Sequence, residues 1–249
     1  MISKNSIIDN IKTLFYALVI AIIIRSLLLQ PFYIPSSSME PNLLVGDRLF
    51  VTKYSYGYSK HSFPFSPPIF KGRVLFSEPK RGDVVVFKTP KDNRTDFIKR
   101  LIGLPGDEIQ FFDGDVYLNN NQILKTIKSK SDTVFCGNGI RKVVIYEETL
   151  PNRKLYYSSY SLDNRDKDPD FINSDKFIVP EDHYFFLGDN RDCSSDSRYL
   201  TKVGYVHQDN LVGKAQFLFF SSDYRIGSIL KFWDWNNIIR FNRFFKKIN

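Results

Sequence analysis

Three serines stand together in "PSSSMEP", residues 35 to 41, a few positions after the most apolar run of the chain. A serine hydroxyl becomes a useful nucleophile only beside a group that takes its proton. No G-x-S-x-G elbow is present, which argues against an α/β-hydrolase. The histidines His61, His183 and His207 carry no supporting signature and read as surface or packing residues. An S-x-x-K pair, Ser77 and Lys80, would need a helical turn to bring its members together, and Pro79 and Gly82 oppose one. A better base lies in "TDFIKRLIGLPGD", residues 95 to 107. Read as a strand, this segment puts Phe97, Lys99 and Leu101 on one face and Asp96, Ile98 and Arg100 on the other. Lys99 is then a charge among apolar neighbours. At an ordinary pKa of about 10.4 a lysine is neutral about 0.04% of the time at pH 7, and enforcing neutrality costs roughly 4.6 kcal/mol. Burial lowers that barrier because it disfavours the ammonium. An amine snorkelling to water from an edge strand stays open on this segment alone.

A third segment, "LGDNRDCSSDSRYL" (187 to 200), packs Asp189, Asp192, Asp196, Arg191 and Arg198 with three serines behind an expected strand. That density of carboxylates and guanidinium forks is too high for a linker. A calcium loop is the competing reading. The segment lacks the D-x-[DN]-x-[DN]-G frame and the late bidentate glutamate, and two arginines would oppose a cation. Cys136 and Cys193 show no metal-ligand spacing, which makes a structural zinc site improbable and leaves a single disulfide open.

The elements around these segments are those of a membrane-tethered, mainly β protein. Residues 13 to 24, "TLFYALVIAIII", are uncharged but rise only about 18 Å as a helix. With Arg25 snorkelling and Leu27 to Leu29 added, residues 13–30 form a minimal transmembrane anchor behind a short N-terminus, 1–12. Lys4 and Lys12 precede it, so the positive-inside rule places the N-terminus in the cytoplasm. A cleaved secretory signal is the alternative; Arg25, the intervening "LLLQPFYIP" and Pro35 weigh against it. Beyond the anchor, "RGDVVVF", "IQFFDGDVYLNNNQIL", "HYFFLGDN" and "NLVGKAQFLFF" read as strands with Gly-Asp, Asp-Gly and Asn-rich turns. The expected organisation is a first catalytic β part over 31–124, a polar inserted β lobe over 125–178, and a second catalytic part over 179–222. Residues 54 to 76, rich in aromatics and proline, read as a loop or extended hairpin whose rings meet the membrane interface or pack on the domain. In the last segment, 223–249, Ile238, Phe241, Phe245 and Ile248 fall on one helical face, the pattern of a short interfacial or docked helix.

Net charge is +8, but the basic residues are interleaved with 27 acidic ones, which suits attraction to anionic lipid better than nucleic-acid binding.

Taken in order, the anchor, "PSSSMEP", "RGDVVVF", "FIKRLIGLPGD" and "GDNRDCSSDSR" resemble the bacterial type I signal peptidases, serine proteases with a Ser-Lys dyad. The resemblance runs from about residue 10 to 220 and leaves out the 125–178 insertion and the C-terminal tail. It implies an antiparallel β catalytic domain, Ser38 as nucleophile and Lys99 as general base. Ser36 matches the serine whose hydroxyl forms the oxyanion hole with the Ser38 backbone N–H, and Ser194 the hydroxyl that orients the lysine. Gly188 matches the small residue beside the lysine, while Asp189, Asp196, Arg100 and Arg198 match bracing residues. Cys193 stands where many members carry Asn. The family implies no cofactor or metal, cleavage after small-x-small motifs of exported preproteins, and a place in the bacterial inner membrane near lipid and the secretion translocon, with the catalytic domain outside. Two other readings share parts of this pattern: a same-fold peptidase dedicated to conjugation pilin, and a non-catalytic tethered β-domain.

Overall fold

The chain begins with an apolar helix, α1, over Lys4–Ile23, which continues into a π-type turn at Ile24–Leu28. In this computed structural model the described residues are 4–68, 70–137, 139–163, 168–223, 225–227 and 230–249. The stretch Ile8–Leu28 has 21 residues, a mean hydropathy of 2.1 and 6% of its most apolar window buried. At about 1.5 Å per residue it is about 32 Å long, enough by length and composition to cross a hydrocarbon core of about 30 Å. The helix starts well before the uncharged run at residue 13, because Asp9 and Lys12 sit 3.8 Å apart at helical spacing and are carried within it.

Fourteen strands follow among the described residues. The first seven are β1 (Leu29–Tyr33), β2 (Asp47–Thr52), β3 (Val84–Lys88), β4 (Asp96–Gly103), β5 (Glu108–Phe112), β6 (Asp115–Leu118) and β7 (Asn121–Gln122). The others are β8 (Leu124–Cys136), β9 (Gly139–Thr149), β10 (Leu155–Ser161), β11 (Phe177–Ile178), β12 (His183–Leu187), β13 (Val206–His207) and β14 (Leu211–Ser221). They form an antiparallel seven-stranded sheet in the order β1-β2-β14-β3-β4-β12-β13, a four-stranded sheet β11-β5-β6-β7 and a three-stranded sheet β10-β9-β8. The fold is mainly β, as the strand-and-turn pattern leads one to expect.

The large sheet positions the chemistry. β4 lies between β3 and β12, with Val85 opposite Lys99 and Leu187 opposite Arg100. Both faces of this central strand are covered, so Lys99 and Arg100, which point opposite ways, are both buried. The loop between β1 and β2 is pinned by Ile34, Met39 and Leu43, which join Leu49, Val84 and Val212 in one apolar cluster. Met39 therefore fixes the depth of the residue before it, Ser38. The 124–161 segment forms the three-stranded sheet, and Cys136 at the end of β8 is disulfide-bonded to Cys193.

The C-terminal segment departs from the helical expectation. Only Trp235–Ile238 is α-helical, followed by a 3-10 turn at Phe241–Arg243. Ile239 and Lys247 instead make antiparallel bridges to Ser222 and Phe217. Ile238 is buried while Phe241 and Phe245 are exposed, so these residues do not share a face. The reason is electrostatic as well as topological: Arg243 is drawn inward to Asp47 at 2.6 Å. A backbone held by the edge of β14 and by that ion pair cannot close a continuous helix.

Candidate active site

Ser38 opens a short turn in the β1–β2 loop, where Glu40 N–H donates to the Ser37 carbonyl at 3.0 Å and Leu43 N–H to the Met39 carbonyl at 2.9 Å. These bonds hold the loop so that the Ser38 side chain meets β4. Lys99 Nζ donates to Ser38 Oγ at 2.5 Å, and both residues are buried, Lys99 at 3% and Ser38 at 7% exposure. Among the described residues Ser38 Oγ has one further contact, to Ser36 Oγ at 3.4 Å, and none to a histidine. The snorkelling alternative for Lys99 is thereby removed: β4 is a central strand, not an edge.

Burial pushes the Lys99 amine down to about 8, with Asp196 and Asp189 pulling partly back and Arg198 adding to the depression. The two carboxylates do not neutralise that desolvation because each is already committed. Asp189 takes both arms of Arg100, at 2.7 and 2.8 Å. Asp196 takes Arg198 at 2.8 and 3.0 Å and the Gly188 backbone N–H at 2.9 Å. Burial opposes ionisation of Asp196, but the charge and fork of Arg198 outweigh it and hold the carboxyl below its usual range. Paired in this way, the buried charges are satisfied rather than orphaned.

Gly188, directly after β12, lies against the loop that carries Ser38. A Cβ there would lie 2.1 Å from Ser194 Oγ and 2.6 Å from the Ser38 carbonyl oxygen. Ser194 is thus brought to the same place, and its buried Oγ has no hydrogen-bond partner among the described residues. It is not hydrogen-bonded to Lys99 in this arrangement. Ser36 is exposed at the mouth of the site.

Several positioning residues carried no readable signal in sequence. Asn190 N–H donates to the Ser38 carbonyl at 3.1 Å, and its side-chain amide bridges the carbonyls of Ser37 and Phe135, both at 3.1 Å. Phe135 N–H donates to Glu40 Oε2 at 2.8 Å. Burial raises the pKa of Glu40, partly offset by that amide. Asn42 Nδ2 joins Asp189 Oδ2 at 2.7 Å to the Tyr157 carbonyl at 2.6 Å. Only the density of "GDNRDCSSDS" hints at Asn190; Asn42, Glu40 and Phe135 are recognisable once β8 and β10 are seen beside the loop.

A serine hydroxyl held against a desolvated amine, in a β framework and without a histidine, has the geometry of serine hydrolases that use lysine as the base. The comparisons with known proteins sharpen this. The family model described as "Signal peptidase, peptidase S26" matches residues 7–220, and the chain belongs to that family. Membership makes it a serine endopeptidase. A signal peptidase I of Rickettsia canadensis (strain McKiel) is 44% identical, with 95% of this chain and 92% of that protein covered. A signal peptidase I of Rickettsia prowazekii (strain Madrid E) is 41% identical over 99% of this chain and 96% of that protein. Among solved structures, a signal peptidase I from Enterococcus faecalis V583 matches 55% of this chain and 97% of its own, at 25% identity and a TM-score of 0.32.

Proposed function

We propose that this chain removes signal peptides from exported preproteins, with Ser38 as nucleophile and Lys99 as general base, while its N-terminal helix spans the membrane. The observation that carries the reading is the 2.5 Å contact between Lys99 Nζ and Ser38 Oγ in a buried site. With its pKa at about 8, Lys99 is neutral in about a tenth of molecules at pH 7, against about 0.04% for an ordinary lysine.

Neutral Lys99 takes the hydroxyl proton as Ser38 Oγ attacks the scissile carbonyl carbon. The Ser36 hydroxyl and the Ser38 backbone N–H donate to the oxyanion that forms. When the tetrahedral intermediate collapses, the C–N bond breaks and the Lys99 ammonium protonates the departing amine. A water then gives its proton to Lys99 and attacks the Ser38 ester; as the ester C–O bond breaks, Lys99 returns that proton to Ser38 Oγ and the signal peptide leaves with its new carboxylate. Ser194, whose buried Oγ is unpartnered, is the hydroxyl available to hold the neutral Lys99 amine in place once Ser38 is acylated. Arg100–Asp189 and Arg198–Asp196 act by bracing, since their charges are spent on each other. The expected substrate presents small residues at the first and third positions before the cut.

Orientation follows from Lys4 and Lys12 at the start of the helix, which favour a cytoplasmic N-terminus and put Ser38 on the outer face. The test is preprotein cleavage in detergent by the native chain, Ser38→Ala and Lys99→Met. Each variant is expected to lose at least about 10³-fold in kcat/KM. Native-level cleavage by either one removes the dyad, and a native chain that ignores A-x-A preproteins but cuts a dedicated pilin substrate replaces the substrate assignment.

A further inference from the structure

A cavity of about 550 Å³ lies away from Ser38, where the end of the apolar helix meets the domain. Its wall includes Arg25 from the helix, Lys53 after β2, Lys60 and His61, Lys88 at the end of β3 and Arg94 from the β3–β4 connection. The carboxylates facing these groups are Asp92 and Asp96. Neither is free to compensate the cavity as a whole. Asp96 is paired with Lys88 at 2.8 Å, and Asp92 is taken up by Thr89, Thr95 and the Arg94 backbone N–H within its own turn.

Lys53 is the unusual member. It is 2% exposed, its Nζ donates one hydrogen bond, to the Ser62 carbonyl, and it has no ion pair among the described residues. An ammonium has three donors, and burying one without a counter-charge is costly. Burial, helped by the charge of Arg25, pushes this amine down to about 8. His61, also buried, uses Nδ1 on Ser66 Oγ at 2.9 Å and leaves Nε2 buried without a partner. The cavity wall therefore carries more cationic groups, Arg25, Lys53, Lys60, Lys88 and Arg94, than carboxylates to pair with them. An anion supplies what is missing.

The surroundings identify the kind of anion. Phe63, Pro64 and Phe65 flank the same cavity, and Phe65 is fully solvent-exposed at a positive φ of 63°. Arg25 stands three residues before the end of the apolar stretch at Leu28, so the basic wall lies where hydrocarbon gives way to polar headgroups. Basic donors inside, an aromatic tip at the edge and a membrane helix alongside match an amphiphile rather than a free ion.

We infer that this cavity binds the phosphate headgroup of an anionic phospholipid, with Arg25 and Lys53 as its principal donors and Phe65 set among the acyl chains. The inference rests on the reading that the helix spans a membrane. Occupation would fix the catalytic domain's height and tilt on the bilayer, since the cavity joins the helix end to β1, β2 and the β3–β4 connection.

The full chain in a neutral detergent, examined by native mass spectrometry with added phosphatidylglycerol, phosphatidylcholine or inorganic phosphate, tests it. The expected result is one saturable phosphatidylglycerol adduct, at least about tenfold tighter than either alternative. Arg25→Gln combined with Arg94→Gln, both exposed side chains, should weaken it at least about tenfold, and Lys53→Met should do the same. An adduct indifferent to these substitutions overturns the site. Phosphate binding as tight as phosphatidylglycerol makes it a free-anion site and overturns the lipid assignment, and equal binding of phosphatidylcholine overturns the charge argument. Flotation with phosphatidylcholine vesicles separates the two readings: a chain that floats without a charge-dependent adduct sinks this site alone, whereas one that fails to float sinks the spanning helix and with it the cavity's place at the bilayer.

Discussion

Lys99 shows how a desolvated amine opposes the stability of the fold that contains it. Its folded pKa of about 8 lies below the ordinary value of 10.5, so the folded protein binds a proton there less readily than the unfolded chain does. The resulting destabilisation is complete below about pH 8, fades as pH rises, and is gone above about 10.5. A gap of this size corresponds to about 3 kcal/mol. Lys99→Met keeps the apolar stem and removes the amine, so it is expected to abolish cleavage yet raise the melting temperature at pH 7; a lower one in calorimetry would mean the charge is not under desolvation strain. For the native chain, kcat/KM is expected to rise about ninefold from pH 6 to 7 and to level off above about 8, following the neutral amine. A flat profile over that range is the contrary result.

Gly188 belongs to the same scale. The backbone of β12 approaches the Ser38 carbonyl so closely that a methyl would meet it at 2.6 Å and Ser194 Cβ at 2.3 Å. Neither is the end of a flexible chain, so Gly188→Ala must move the Ser38 loop or Ser194. Overpacking of this kind costs about 1–3 kcal/mol, which a domain of this size survives, while a 1 Å displacement of reacting atoms costs about 10²-fold. The expected outcome is a folded protein by circular dichroism with cleavage reduced about 10²-fold.

At the scale of elements, the three-stranded sheet is coupled to the site at several points: Cys136 is bonded to Cys193, one residue before Ser194, and Asn190 ties Phe135 to Ser37. The disulfide closes a separation of 57 residues, which chain entropy values at about 4 kcal/mol as an upper figure. Replacing both cysteines by serine is expected to lower stability by about 2–4 kcal/mol in denaturant melts and to slow cleavage, because the loop carrying Ser194 loses its tether. Unchanged values in both measurements would show that the hydrogen bonds alone suffice. The sequence was a good guide to elements whose signal is local. β3, β4 and β12 follow from β-branched or aromatic runs next to Gly-Asp turns, and Lys99 and Arg100 from alternation along one strand. What stayed hidden depended on distant partners: the burial of both faces of β4, the Cys136–Cys193 bond, and the roles of Asn42 and Glu40. The C-terminal segment misled for the same reason. Its spacing of apolar residues fits a helix, yet Asp47, nearly two hundred positions away in the chain, takes Arg243 out of solvent.

For the whole molecule, the division of labour between helix and domain can be separated experimentally. The domain's sheet begins at β1, which pairs with β2 independently of the helix, and the last helical residues are held by backbone acceptors: the Leu27 carbonyl receives Tyr58 Oη–H at 3.0 Å and the Leu28 carbonyl the Lys53 N–H at 3.1 Å. Ser26 is buried against the domain while Arg25 is exposed. A deletion of residues 1–25 therefore removes the apolar length without opening the sheet. Its active site should be intact, and its rate on a detergent-solubilised preprotein should stay within about threefold of the full chain. On a preprotein embedded in vesicles the full chain shares a surface with its substrate, and confinement of that kind raises effective concentration by about 10²- to 10⁴-fold. The truncated chain is expected to lose that factor at low enzyme concentration and to regain it as the enzyme is raised. Equal rates of the two chains on vesicle-embedded substrate would mean that the helix does not bring Ser38 to the bilayer; a large loss in detergent as well would mean that the helix also holds the site together.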